Sequence, residues 1–121
     1  MAAPPSRPVG RVMFESPVTV APTRTGELSL TIIDEPSRRF PLLVRLEAEG
    51  FTVVDERLDW SDVVDEKARE PRFSSRFVAP SSPGTYRVPC RVTYVVCGAT
   101  QCQPRYVDGV FEVVVRSDTS P

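Results

Sequence analysis

Prolines recur so often along this chain that a helix has almost nowhere to form: 13 are spread over 121 residues. Each removes a backbone donor and clashes with the preceding turn if placed inside a helix. What lies between them suits strands. Valine occurs 19 times against 6 leucines and 7 alanines, and valine's stiff first torsion packs well on a pleated surface. Leucine and alanine are the usual helix builders. An all-β domain is therefore expected. At 121 residues the chain suits one core, hiding roughly two-thirds of the surface its unfolded form exposes.

Composition also removes chemistry. Histidine is absent, which excludes Ser-His-Asp and Cys-His catalysis, His-ligated metals and imidazole pH switching. The basic residues are 14 arginines and one lysine, Lys67, so Schiff-base chemistry is nearly excluded too. A net charge of −1 gives no electrostatic reason to expect nucleic acid or an anionic membrane as partner. No run approaches the 18 or more apolar residues of a membrane span. Residues 1–8 carry three prolines and no apolar stretch of the signal-peptide kind, and read as a flexible Pro-rich arm. A monomer without cofactor is expected. The chemistry left rests on thiols, carboxylates and hydroxyls.

Extended runs then alternate with turns. Candidate strands cover Val9 to Glu15, Val18 to Ala21, Glu27 to Ile33, Pro41 to Glu49, Phe51 to Asp55, Phe73 to Ala79, Thr85 to Val96 and Tyr106 to Arg116. Seven or eight strands with turns about every ten residues predict an immunoglobulin-like antiparallel β-sandwich over 9–116, with 117–121 as a linker or tail. Residues 56–72 break the pattern. They are charge-rich and hold the only tryptophan, Trp60. Ser61 and Asp62 could cap a helical turn running to Glu70, which Pro71 would end. Such a segment is either an exposed inter-strand loop or one that folds over a functional edge.

Alternation sorts the three cysteines. In the run Thr85 to Val96, Tyr86, Val88, Cys90, Val92, Tyr94 and Val96 share one face, and Arg87, Arg91 and Thr93 the other. The valine face belongs in the core, so Cys90 is expected to be a buried, non-catalytic hydrophobe. An extended strand holds it roughly 23 Å from Cys97, at about 3.3 Å per residue. Cys97 ends that strand, Gly98 to Gln101 makes a short turn, and Cys102 precedes Gln103-Pro104 and the final strand. A Cys-x4-Cys pair across a hairpin can bring two Cβ atoms within bonding distance. So small a ring is a weak staple, stabilising by about 2 kcal/mol, and a bond at a hairpin tip is accessible to exchange. Chemistry alone leaves an inert clip and a redox pair equally open. Zinc is not expected, since two thiols without histidine cannot complete four ligands.

The stretch from Gly84 to Pro104, with Tyr94-Val95-Val96-Cys97, a short loop, Cys102 and then Pro104, resembles the N-terminal periplasmic domain of the bacterial thiol:disulfide interchange protein DsbD. The resemblance is specific over about residues 73–115. It implies an immunoglobulin-like periplasmic domain that takes reducing equivalents from a thioredoxin-like domain and passes them to oxidised periplasmic thiol proteins, in the setting of cytochrome c biogenesis. By position, Cys102 would form the mixed disulfide and Cys97 resolve it, with Tyr94 and Pro104 as the motif's flanks. The family often has two prolines after the second cysteine, and Gln103 replaces the first here. It also shields its disulfide with an aromatic cap loop, for which Trp60, beside Asp59 and Asp62, is the nearest candidate.

Arg105, three residues past Cys102, would favour a thiolate or stand as a solvated edge charge. Nearby carboxylates would instead keep the thiols protonated. The competing reading is a binding or adhesion module whose Cys97–Cys102 bond only clips a loop, in which case the chain is no protein-disulfide reductase. Hydrolysis by paired carboxylates such as Asp62 and Asp65 has only a charge-rich loop behind it.

Overall fold

The computed structural model describes residues 10–117; the arm expected over 1–8 and the tail beyond residue 117 lie outside them. Nine strands form: β1 (Val12–Phe14), β2 (Val18–Val20), β3 (Thr25–Ile32), β4 (Leu43–Leu46), β5 (Thr52–Val53), β6 (Arg57–Leu58), β7 (Arg72–Val78), β8 (Gly84–Cys97) and β9 (Cys102–Val115). They make a four-stranded sheet in the order β1-β3-β7-β5 and a five-stranded sheet in the order β2-β9-β8-β4-β6. The domain is an immunoglobulin-like, all-β sandwich. Every ladder is antiparallel except β2 with β9, which run parallel, because the chain changes sheets at Ser16-Pro17 without reversing direction.

Alternation places the core. From β3 come Leu28, Leu30 and Ile32, from β7 Phe73 and Phe77, from β8 Val88, Val92 and Tyr94, and from β9 Phe111, Val113 and Val115, all buried. Ser75 lies among them on the inner face of β7 and is also buried. Its hydroxyl donates to the Asp55 carbonyl at 2.8 Å and accepts from the Asp55 N–H at 3.3 Å. A buried polar group partnered on both counts is tolerated in a core.

Two prolines inside the long strands explain where pairing stops. Pro89 sits in the centre of β8, where the Glu47 N–H donates to its carbonyl at 2.9 Å. In an antiparallel ladder a residue's N and O point the same way, so Pro89 cannot return the second bond. The β4–β8 register accordingly ends at Leu46↔Cys90, and β4 covers less than the expected Pro41 to Glu49. Pro104 has the opposite effect. The final strand starts at Cys102 rather than Tyr106, because the nitrogen of Pro104 points away from β8. That direction follows from Tyr106, two residues on, whose carbonyl accepts the Gly10 N–H at 3.1 Å from outside the sheet. A proline is harmless on that side.

The outer edge of β9 is partly covered. β2 pairs with it over Val113 to Val115, and the Ser16 hydroxyl accepts the Glu112 N–H at 2.9 Å. Where β1 arcs across, Phe14 packs edge-on against Phe111, with centroids 5.2 Å apart at 86°. Gly109 makes this approach possible, since a Cβ there would lie 2.3 Å from the Phe14 ring. Gly109→Ala is expected to destabilise the domain by about 1–3 kcal/mol through overpacking. A lower urea midpoint at unchanged slope is the check, and an unmoved midpoint would show that Phe14 yields freely.

Residues 56–72 do not form the helical run to Glu70 anticipated for them. They hold β6 and one 3-10 turn, Trp60–Asp62, capped by Asp59 rather than by Ser61. Asp59 accepts the Ser61 N–H at 2.8 Å, and Asp62 accepts the Asp59 N–H at 2.9 Å. This reciprocal box satisfies the donors of one turn, and nothing beyond it sustains another.

The disulfide end and its groove as a candidate functional site

β8 and β9 run as one hairpin for fourteen residues each, ending in the pair Cys97↔Cys102. Just past it the Gly98 N–H donates to the Gln101 carbonyl at 2.8 Å, so Ala99 and Thr100 form the tip. Gly98 and Gln101 are thus a hydrogen-bonded pair. The alternation of antiparallel ladders makes Cys97 and Cys102 a non-hydrogen-bonded one, in which opposed side chains come closest. Their Cα atoms are 3.9 Å apart and the sulfurs are joined at 2.04 Å. Both cysteines are solvent-exposed. Backbone bonds on either side close this hairpin with or without the sulfurs.

Strand alternation splits the remaining candidates between two faces. Pro104 shares the outer face with Cys102, as does Tyr106, 41% exposed, which sequence reasoning did not single out. Tyr94 and Arg105 oppose each other on the inner face. Each lies three residues along its strand from a cysteine, and a shift of three reverses the face. Arg105 is half-buried beside Tyr94, on the opposite side of the sheet from Cys102, and is no thiolate partner in this arrangement. Tyr94 is buried. Its hydroxyl donates to Asp34 Oδ2 at 2.6 Å and accepts the Arg11 N–H at 2.9 Å. Burial first, then the bond to Asp34, pushes the Tyr94 phenol above its ordinary pKa. The tyrosine therefore pins the chain entry and the segment after β3 to the end of β8.

Asp34 leads into a groove of about 610 Å³ beside the disulfide. Pro36 and Arg38 line it from the segment after β3, Trp60 and Lys67 from the segment 56–72, and Val96 and Cys97 from β8. The two loop segments are tied together. Trp60 Nε1 donates to the Phe40 carbonyl at 2.9 Å, and the Arg38 guanidinium lies 4.7 Å from the Trp60 ring centroid while donating to the Glu66 carbonyl. A cation held over an indole and bonded beyond it is a well-fixed wall. The segment 56–72 thus borders Cys97 as a groove wall and leaves the disulfide open to solvent. The contacts of Phe40 and Arg38 with Trp60 span twenty and twenty-two residues, and no local pattern signals them.

Three carboxylates of segment 56–72, those of Asp59, Asp62 and Asp65, are engaged locally. Bonds from the Ser61 side chain, then its backbone, hold the Asp59 carboxyl below its usual range. Asp62 caps Asp59, and Asp65 accepts the Lys67 N–H at 2.9 Å. Cys90 lies in the core at 3% exposure. Burial, with a smaller contribution from the Asp108 charge, pushes its thiol up to about 12, so almost none is thiolate at neutral pH. Among the described residues no group of three or more His, Cys, Asp or Glu side chains is placed to hold a metal ion.

Fold and site together define the class: an immunoglobulin-like sandwich domain with a solvent-facing disulfide and an adjoining groove at one end. No family model matches the chain, and no curated protein does. Among solved structures it is similar to AggA, the major subunit of aggregative adherence fimbriae type I from Escherichia coli, at 10% identity and a TM-score of 0.47, over 88% of this chain and 94% of that one.

Proposed function

We propose that this domain is a protein-binding module whose working end is the Cys97–Cys102 hairpin tip together with the groove beside it. The observation that carries the reading is the groove of about 610 Å³ that reaches Cys97 and is walled by Arg38, Trp60 and Lys67. It is a concave surface of ligand-site size with a fixed aromatic wall and charges of both signs. In its plainest form the module binds without covalent chemistry, and the disulfide clips the tip.

A second reading is favoured by a separate observation. Both cysteines are exposed, and the ladder on either side already closes the hairpin, so the bond adds little as a staple. The same end is then a thiol-disulfide exchange site, as the resemblance to the DsbD domain implies. Its partners are a thioredoxin-like donor and oxidised thiol proteins of the periplasm. Reduced Cys102 attacks a partner disulfide, and Cys97 resolves the mixed disulfide, leaving the pair oxidised and the partner reduced.

One experiment separates the two. Reduced Cys97→Ser and Cys102→Ser variants are incubated with a thioredoxin-like domain that lacks its resolving cysteine and carries its remaining one as a mixed disulfide with thionitrobenzoate, so that attack releases thionitrobenzoate as the leaving thiolate, and adducts are read by mass. Exchange predicts a stable mixed disulfide through Cys102 and a potential above about −300 mV in the wild type. Absence of any adduct, with a potential below that value, leaves the clipped binding module.

A further inference from the structure

We propose that the reduced hairpin tip is a two-coordinate site for a soft monovalent cation of the copper(I) class, held by the thiolates of Cys97 and Cys102. The inference does not depend on whether the disulfide exchanges with a protein partner.

The geometry carries it. Cys97 and Cys102 are directly opposed, and the non-hydrogen-bonded pairing points both side chains to one face at close range. Val96↔Gln103 on one side and the Gly98–Gln101 bond at 2.8 Å on the other hold this register through the backbone. Opening the S–S bond therefore leaves two thiols a few ångströms apart with no strand free to carry one away. Both positions are exposed, so an ion reaches them without unfolding.

The donor set then selects the ion. The chain has no histidine, and the third cysteine is buried on the opposite face of β8. Met13 lies in β1 of the other sheet. Zinc asks for four ligands and the hard divalent ions for six or more oxygens. Two thiolates with no further sulfur or imidazole donor beside them among the described residues suit a soft d10 monovalent ion, which accepts two ligands in line.

The chemistry balances. A small dithiol reductant cleaves the disulfide, giving two protein thiols and the oxidised dithiol. Metal entry forms two sulfur–metal bonds and releases two protons, leaving a bis-thiolate complex of charge −1.

The test is anaerobic titration of the reduced, desalted protein with copper(I) buffered by a chromophoric chelator. One equivalent is expected to be retained, and excess zinc(II) should leave it in place. Cys97→Ser and Cys102→Ser should each lose stoichiometric retention, while Cys90→Ala keeps it. Far-UV circular dichroism of each variant confirms that the fold persists. Retention by either single-serine variant, displacement by zinc(II), or no retention by the folded wild type would each overturn the proposal.

Discussion

Phe77→Ala is expected to cost about 3–5 kcal/mol of unfolding free energy, the upper range for removing a buried aromatic ring. Phe77 is fully buried and sits opposite Gly26. A Cβ on Gly26 would lie 2.6 Å from the Phe77 ring, so backbone rests directly on that ring. On the β3 side the opposing residue has no side chain to fill the void left by alanine, and across the other ladder stands only the smaller Val53. Phe51, edge-on at 5.8 Å, is the aromatic neighbour able to move in. Since small domains are stable by only about 5–15 kcal/mol, this one ring supports a large share of the fold. Urea unfolding reads the effect as a large fall in midpoint at unchanged slope. A loss under about 1 kcal/mol would mean that Phe51 refills the space, and the packing argument fails.

Tyr94→Phe is the second large expectation, at about 1–3 kcal/mol. The change removes only an oxygen, yet that oxygen bonds both Asp34 and the Arg11 N–H. Arg11 keeps a longer bond of 3.2 Å to Asp34, whereas Asp34 loses its hydroxyl donor. The pH dependence gives an independent reading. The Tyr94 phenol is raised in the folded state, so the unfolded chain loses this proton first. Stability is then fully present below the ordinary phenol value of about 10 and falls as the pH rises above it. The variant should lack that component, and its difference from wild type should shrink at high pH. A difference that stays constant across that range would remove Tyr94 as its source.

What could be read in advance follows from how local each signal is. The inner and outer faces of β8 were legible because two arginines and a run of valines alternate without interruption. The same alternation, carried three residues further, also separates Tyr94 and Arg105 from the cysteines. Nearness in sequence is not nearness across a sheet. The final strand, expected from Tyr106, runs back through Pro104 to Cys102. Whether a proline blocks pairing depends on which side its nitrogen faces, and that is decided by the neighbouring strand. The segment 56–72 was visible as a break in pattern but not as a groove wall. Its anchor is Trp60 on the Phe40 carbonyl, a contact with no periodicity behind it.

The longest strands of a sheet are usually kept from its rim, yet β9 stands one step from the edge with most of its length beyond β2. Its outward groups are nonetheless partly engaged. β2 takes Val113 to Val115, Ser16 takes the N–H of Glu112, Gly10 takes the carbonyl of Tyr106, and Pro104 has no N–H to offer. What stays open among the described residues is split into two short reaches, one around Asp108 and Val110 and one at Cys102 and the carbonyl of Pro104, each brief as a template for another chain. Along β9, therefore, a second copy finds no long uninterrupted row of backbone groups to pair with, and the disulfide tip is the end of the strand left facing solvent.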